Sequence, residues 1–158
     1  MNVSLKPLIG KLNDTCRGAL EGAAGLCLSR THYDVEVEHL FIKLAEVADC
    51  DLRRVLRHYE VDHARVTRDL TRALDRLKTG NARTPALSPH ILRWLTDAWT
   101  RASIEYGAGR IRSGHLLLAL LTHGLDPAEF GVLAPIVTII DLVMNIVDAL
   151  LVAGVVNA

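Results

Sequence analysis

The stretch VEHLFIKLA at residues 37–45 returns 76 positions later as SGHLLLALL at 113–121. Each copy has a histidine at its third position, followed by an apolar, leucine-rich run. A chain of 158 residues is long enough for one ordinary domain. If it writes one helical phrase twice, two related halves must share a single core. At the same offset Cys16, Ala19, Ala23 and Leu26 fall on Leu92, Leu95, Trp99 and Ala102, Arg17 on Arg93, Glu21 on Asp97, and His39 on His115. The apolar spacing is helical in both copies, and the match runs without a gap. Two copies at so long a period do not make a solenoid. They fit two helical halves packed about an approximate twofold axis.

Composition agrees with an all-α fold. Half of the residues are apolar, yet Phe, Trp and Tyr together make up only 4%, so aliphatic helices supply the core. Eighteen basic side chains balance eighteen acidic ones, which leaves no field to gather nucleic acid or an anionic membrane. Three cysteines, Cys16, Cys27 and Cys50, form no CxxC pair and suit a reducing cytoplasm. The start MNVSLKPLIGKLND lacks the features of a signal peptide and reads as cytosolic.

Local signals place the elements. Leu5, Leu8, Ile9 and Leu12 predict a short amphipathic helix over 4–12, with Pro7 tolerable in its first turn. Asn13 or Asp14 can cap the next helix, which RTHYD interrupts. A third helix covers 36–47, a fourth starts at Asp51 and a fifth at Asp62. KTGNARTPALSP, at 78–89, is the clearest linker. Ser88 before Pro89 opens a long helix to about 106, and Ser113 is a candidate cap for the helix carrying the second copy of the phrase.

Several constellations carry little chemistry. No histidine pair has H-x-x-x-H spacing and H-E-x-x-H is absent, so neither His58 with His63 nor His115 with His123 makes a metal site. His39 and His115, at matched positions near helix starts, read as structural hydrogen-bonding groups. A Cys50–His58 nucleophile–base pair has no support in the spacing. Arg65, Arg68, Arg72 and Arg76 form a stripe that could hold an anion, but Asp69 and Asp75 stand within reach and favour a solvated face. The segment from Val132 to Val156 is long enough to span a bilayer. Asp141 and Asp148 would each cost about 2.5–3.5 kcal/mol near its centre, and no Lys or Arg flanks it. Thr138, Asp141, Asn145 and Asp148 make one narrow polar stripe on this otherwise apolar helix, the pattern of a helix buried in its own core or against a partner.

The runs LIGKLNDTCRGALEGAAGLCLSRTHYDVEVEHLFIKL, LRRVLRHYEVD, NARTPALSPHI and RIRSGHLLLALL occur in that order. Together they resemble the duplicated N-terminal domain of the Clp/Hsp100 AAA+ unfoldases over roughly residues 5–123. The added first helix and the TGNARTPALSP linker favour the ClpV (TssH) branch, which recycles contracted type VI secretion sheaths. The resemblance implies an all-α duplicated bundle of about eight helices, with repeats at about 12–77 and 88–123, plus an extra N-terminal helix. It implies substrate recognition and not catalysis: no G-x-x-x-x-G-K-[ST] loop is present, so ATP and magnesium would belong to a separate ATPase module. It further implies a hydrophobic groove near the added helix that takes an amphipathic helix of the sheath subunit VipB (TssC). Carried onto this sequence, the lining residues are Leu8, Leu12, Thr15, Leu87, Ile91, Leu92 and Leu95, with Lys11, Arg17 and Arg93 steering acidic flanks. Each apolar candidate reads equally well as core. Residues 124–158 depart from the family pattern and are expected to form an apolar helical tail. The rival reading is an assembly or regulatory protein whose tail drives self-association or fills the groove.

Overall fold

The computed structural model describes residues 5–122. Helix α1 (Leu5–Gly10) leads into α2 (Asp14–Ser29), strand β1 (Asp34–Val35), α3 (Val37–Glu46), α4 (Asp51–His58) and α5 (His63–Asp75). After the linker come β2 (Ala86–Leu87), α6 (Pro89–Thr100), a π-turn (Arg101–Glu105) that continues α6, and α7 (Ser113–Thr122). The fold is helical as expected, with two two-residue strands and one isolated bridge as its β features among the described residues. The expected tail, 124–158, lies outside them, as does His123.

The caps explain where the helices begin. Asn13 Oδ1 accepts from the Cys16 amide at 2.9 Å, and Ser88 Oγ accepts from the Ile91 amide at 3.3 Å. Asp62 caps α5 through the Ala64 amide. Ser113 is not a cap: it is the first residue of α7, and its hydroxyl accepts from the Leu52 amide of α4 at 3.2 Å. His39 and His115 do what their matched positions predicted. Each turns Nδ1 back to accept from the amide that precedes its helix, Glu36 at 2.9 Å and Arg112 at 3.0 Å.

The two copies interlock. β1 pairs in parallel with β2, with Val35 opposite Leu87, and Ile111 forms a parallel bridge with Leu12. The Ser88 amide donates to Val35 O at 3.0 Å, and the Asn13 amide donates to Ile111 O at 2.9 Å. The cap residue of α6 is thus tied to β1 of the first copy, and the cap residue of α2 to the bridge residue Ile111 of the second.

These contacts correct the gapless register. Asn13 corresponds to Ser88 and Leu12 to Leu87, an offset of 75, whereas Val35 corresponds to Ile111 and His39 to His115, an offset of 76. Burial agrees: Cys16, Ala19, Leu20, Ala23 and Cys27 match Ile91, Trp94, Leu95, Ala98 and Ala102. Cys27 O is closed by the His32 amide five residues on, and Ala102 O by the Ala108 amide six residues on. The second copy is one residue longer here than the first, and the π-turn absorbs the difference. Past it the chain turns back through Gly107 at φ +59°, as the first copy does through Thr31 at φ +56°.

The core runs through both copies. It joins Leu8 and Leu12 to α2, α3, the inner faces of α4 and α5, Ile91, Trp94, Leu95 and the apolar run Leu116–Leu120. The Trp94 indole N–H reaches Leu116 O at 2.7 Å, tying α6 to α7.

Candidate functional site

Helix α1 packs on α6. Of its side chains Leu8 is buried, while Ile9 is half-buried and Leu5 exposed. Leu5 and Ile9 stand four residues apart, so both lie on one side of the helix. On α6 the buried face is Ile91, Trp94, Leu95 and Ala98. Leu92, Thr96, Trp99 and Ser103 follow at helical spacing as a half-buried stripe. Their hydroxyls are turned inward: Thr96 Oγ1 donates to Leu92 O at 2.7 Å and Ser103 Oγ to Trp99 O at 2.7 Å. With those donors satisfied by the backbone, the stripe presents mainly carbon. The Lys11 ammonium lies 4.8 Å from the Trp99 ring centre, at the α1 end of the same surface.

The seven expected lining residues divide. Leu8, Leu12, Ile91 and Leu95 are core residues, none more than 4% exposed. Thr15, Leu87 and Leu92 are half-buried. Leu87 pairs with Val35 across the strands and Thr15 opens elsewhere, so Leu92 is the member that lies on the α6 stripe. Thr15 lines a cleft of about 480 Å³ that also carries Asn13 and the charged side chains of Asp49, Asp51, Arg54, Arg110 and Arg112. That cleft is largely self-neutralised. Arg112 grips Asp51 at 2.9 and 2.7 Å, and Arg54 meets Asp49 at 2.9 Å. Sequence reasoning missed Trp99 as a surface residue. Its signal is that Ala24 holds the corresponding place in the first copy, so an aromatic has replaced a small residue on a face open to solvent.

The other candidates resolve as scaffold. All three cysteines are buried free thiols. Burial pushes Cys16 up to about 12 and Cys27 up to about 11, which keeps them as unreactive thiols. Cys50 directs its thiol to Leu44 O and Val47 O, whereas His58 is exposed and packs edge-on against Tyr59, so the two are not a pair. In the arginine stripe Arg65 stands 4.0 Å from Asp69, but Asp75 is taken by Arg30 of the α2 end at 2.7 Å. His39 carries its proton on Nε2, because Nδ1 is an acceptor, and shares it with His32 Nδ1 at 2.8 Å. Burial pushes His39 down to about 4 and lowers His32 and His115 as well. Among the described residues no group of three His, Cys, Asp or Glu could hold a metal ion, and no helix is long and apolar enough to cross a membrane.

Residues 11–130 match the model of the Clp repeat (R) N-terminal domain family. The AAA+ ATPase ClpV1 of Pseudomonas aeruginosa is 34% identical over 119 residues, which is 75% of this chain and 13% of that protein. The chaperone protein ClpB of Yersinia enterocolitica is 39% identical over 123 residues, 78% of this chain and 14% of that protein. The chain therefore spans about one seventh of the length of these curated relatives. A solved complex of the ClpV N-domain with a VipB peptide superposes with a TM-score of 0.72 at 30% identity, covering 84% of this chain and 83% of that one.

Proposed function

The chain belongs to the Clp repeat N-terminal domain family, and we propose from that membership that it is the substrate-recognition domain of a ClpV-like ATPase. Its substrate is an N-terminal helix of the contracted type VI secretion sheath subunit, VipB or TssC, delivered for sheath disassembly and recycling. The observation that carries the reading is its likeness to a ClpV N-domain solved with a VipB peptide. The half-buried stripe of Leu92, Thr96 and Trp99 beside α1 supplies what such a helix needs. Apolar anchors at i, i+3, i+4 and i+7 would lie along it, with α1 as one wall. Lys11, Arg17 and Arg93 would meet acidic flanking residues, raising the rate of encounter more than the final affinity. The chain contributes binding alone. Nucleotide, magnesium and force would come from a motor module, and the site of action would be the cytoplasm.

A fluorescent VipB peptide titrated against the chain tests this. Leu92→Asp and Trp99→Ala are each expected to weaken binding by about tenfold or more, as when an anchor is removed from an interface. Leu12→Asp belongs outside the test, since Leu12 is only 1% exposed and its change would disrupt the core. If both surface variants stay folded and bind as the parent does, the reading is wrong.

The 39% identity to ClpB favours one second reading, a general Clp recognition domain that engages unfolded polypeptides. Binding of a permanently unfolded polypeptide without binding of the VipB peptide would select it.

A further inference from the structure

Helix α1 has six residues, too few to persist by itself in water. Leu8 anchors it in the core against α6, and the segment just before α7 holds its C-terminal end. Arg110 Nη1 donates to Gly10 O at 2.9 Å and reaches Leu12 O at 3.5 Å. The Ile111 amide donates to Lys11 O at 2.7 Å, and the Asn13 amide returns a bond to Ile111 O. The carbonyls that end a helix have no partners within it, and here a guanidinium from the second copy supplies one at Gly10.

The duplication shows that this arrangement is particular to α1. The position of Arg110 in the first copy is held by Asp34, which cannot donate from its carboxylate. The lead-in element there is the linker, and Asn81 pins it. Its Nδ2 donates to His32 O at 3.1 Å and Arg83 O at 3.0 Å, and its amide to Thr31 O at 2.9 Å. The two copies have thus diverged in which element they hold and in the side chain that holds it.

We propose that Arg110 is a positioning residue for partner recognition. It fixes the C-terminal end of α1 and thereby how α1, with Leu5 and Ile9 on one side, sits against α6. The inference rests on the reading above, in which α1 forms one wall of the peptide site. Arg110 is itself exposed and contributes nothing to the core. Its loss therefore loosens the C-terminal turn of α1, while the buried Leu8 and Leu12 and the backbone bonds to Ile111 keep the domain folded.

The test uses the whole 158-residue chain carrying Arg110→Ala or Arg110→Lys, with a VipB peptide as the probe. Arg110→Ala is expected to weaken peptide binding by about three- to tenfold, the range for losing a charge-assisted hydrogen bond that orders one wall of a site. Amide exchange at Lys11 and Leu12 should rise, while the thermal midpoint stays within about 2 °C of the parent. Arg110→Lys, which keeps a donor, should recover part of both losses. Unchanged exchange in Arg110→Ala overturns the latch. Raised exchange with unchanged affinity overturns its role in recognition. A parent chain that does not bind the peptide overturns the underlying reading and this inference with it, whereas the exchange measurement on the free chain identifies which step failed.

Discussion

Glu38 and three histidines set opposite pH dependences within one core. Glu38 is 3% exposed, and burial pushes its carboxyl up to about 7. A folded-state pKa above the unfolded value contributes stability that is full below the unfolded value of 4.5 and is lost as pH rises through 7. The neutral histidines act the other way. With His39 lowered to about 4, its contribution is full above the unfolded value of 6.5 and is lost as pH falls toward 4. His32 and His115 are shifted in the same direction. Glu38→Gln is therefore expected to raise stability at pH 8 by on the order of 2–3 kcal/mol and to leave it nearly unchanged at pH 4.5, read as urea midpoints against the parent at each pH. The structural role of His39 and His115 was legible in the sequence because each is the third residue of its helix, where an imidazole can reach back to the preceding amide. Ser113 was misread. A serine at a helix start satisfies the cap pattern equally well whether its hydroxyl serves its own helix or, as here, a neighbour's amide.

At the scale of elements, the π-turn is the feature that the sequence concealed. The apolar residues of α6 come as adjacent pairs, Ile91 with Leu92, Trp94 with Leu95 and Ala98 with Trp99. A slip of one residue still lays apolar on apolar, so a gapless alignment looks sound while its register is wrong. Hydrogen-bond partners and burial break that degeneracy. The same pairing blurred the site: Ile91 and Ala98 are core while their neighbours Leu92 and Trp99 lie on the stripe, and Trp94 and Leu95 are both core. This gives a contrast between two deletions. Removing Ile104, which is 78% exposed in the π-turn, should restore an ordinary α-turn like that of α2 and cost about 1 kcal/mol or less. Removing Thr96 should rotate Ile91, Trp94 and Leu95 off the core by about 100° relative to the rest of the helix. That variant is expected to lose its cooperative thermal transition in calorimetry.

For the whole molecule, the duplicated all-α architecture was readable because a repeated hydrophobic period dictates repeated packing. Which apolar residues face a partner was not, since core and recognition surface draw on the same side chains. Four of the seven expected site residues proved to be core for that reason. The extent of the second copy has a sequence signal of its own. The buried positions of α5, Val66, Leu70, Ala73 and Leu74, recur 76 residues later as Leu142, Ile146, Ala149 and Leu150, outside the described residues. The family match also runs to residue 130, past 123, where the resemblance was expected to end. In α7, Leu116, Leu117, Leu118, Ala119 and Leu120 are all 5% exposed or less, a helix apolar on every side that needs cover all round. Deleting residues 132–158 is therefore expected to lower the thermal midpoint sharply and expose dye-binding apolar surface, with peptide affinity lost rather than enhanced. A truncated chain of parental stability and tighter binding would support the autoinhibitory tail instead.

The crossed bonds from Asn13 to Ile111 and from Ser88 to Val35 have a consequence for the history of such a chain. A single copy alone would leave these groups without partners unless it paired with an identical twin. Joined in one chain, the copies need match only in the surface by which each completes the other. Arg110 and Asn81, the π-turn and Trp99 all lie in the portion so released. The symmetry that remains is the part under mutual obligation, and the departures from it are where a specialised role could be acquired without endangering the whole.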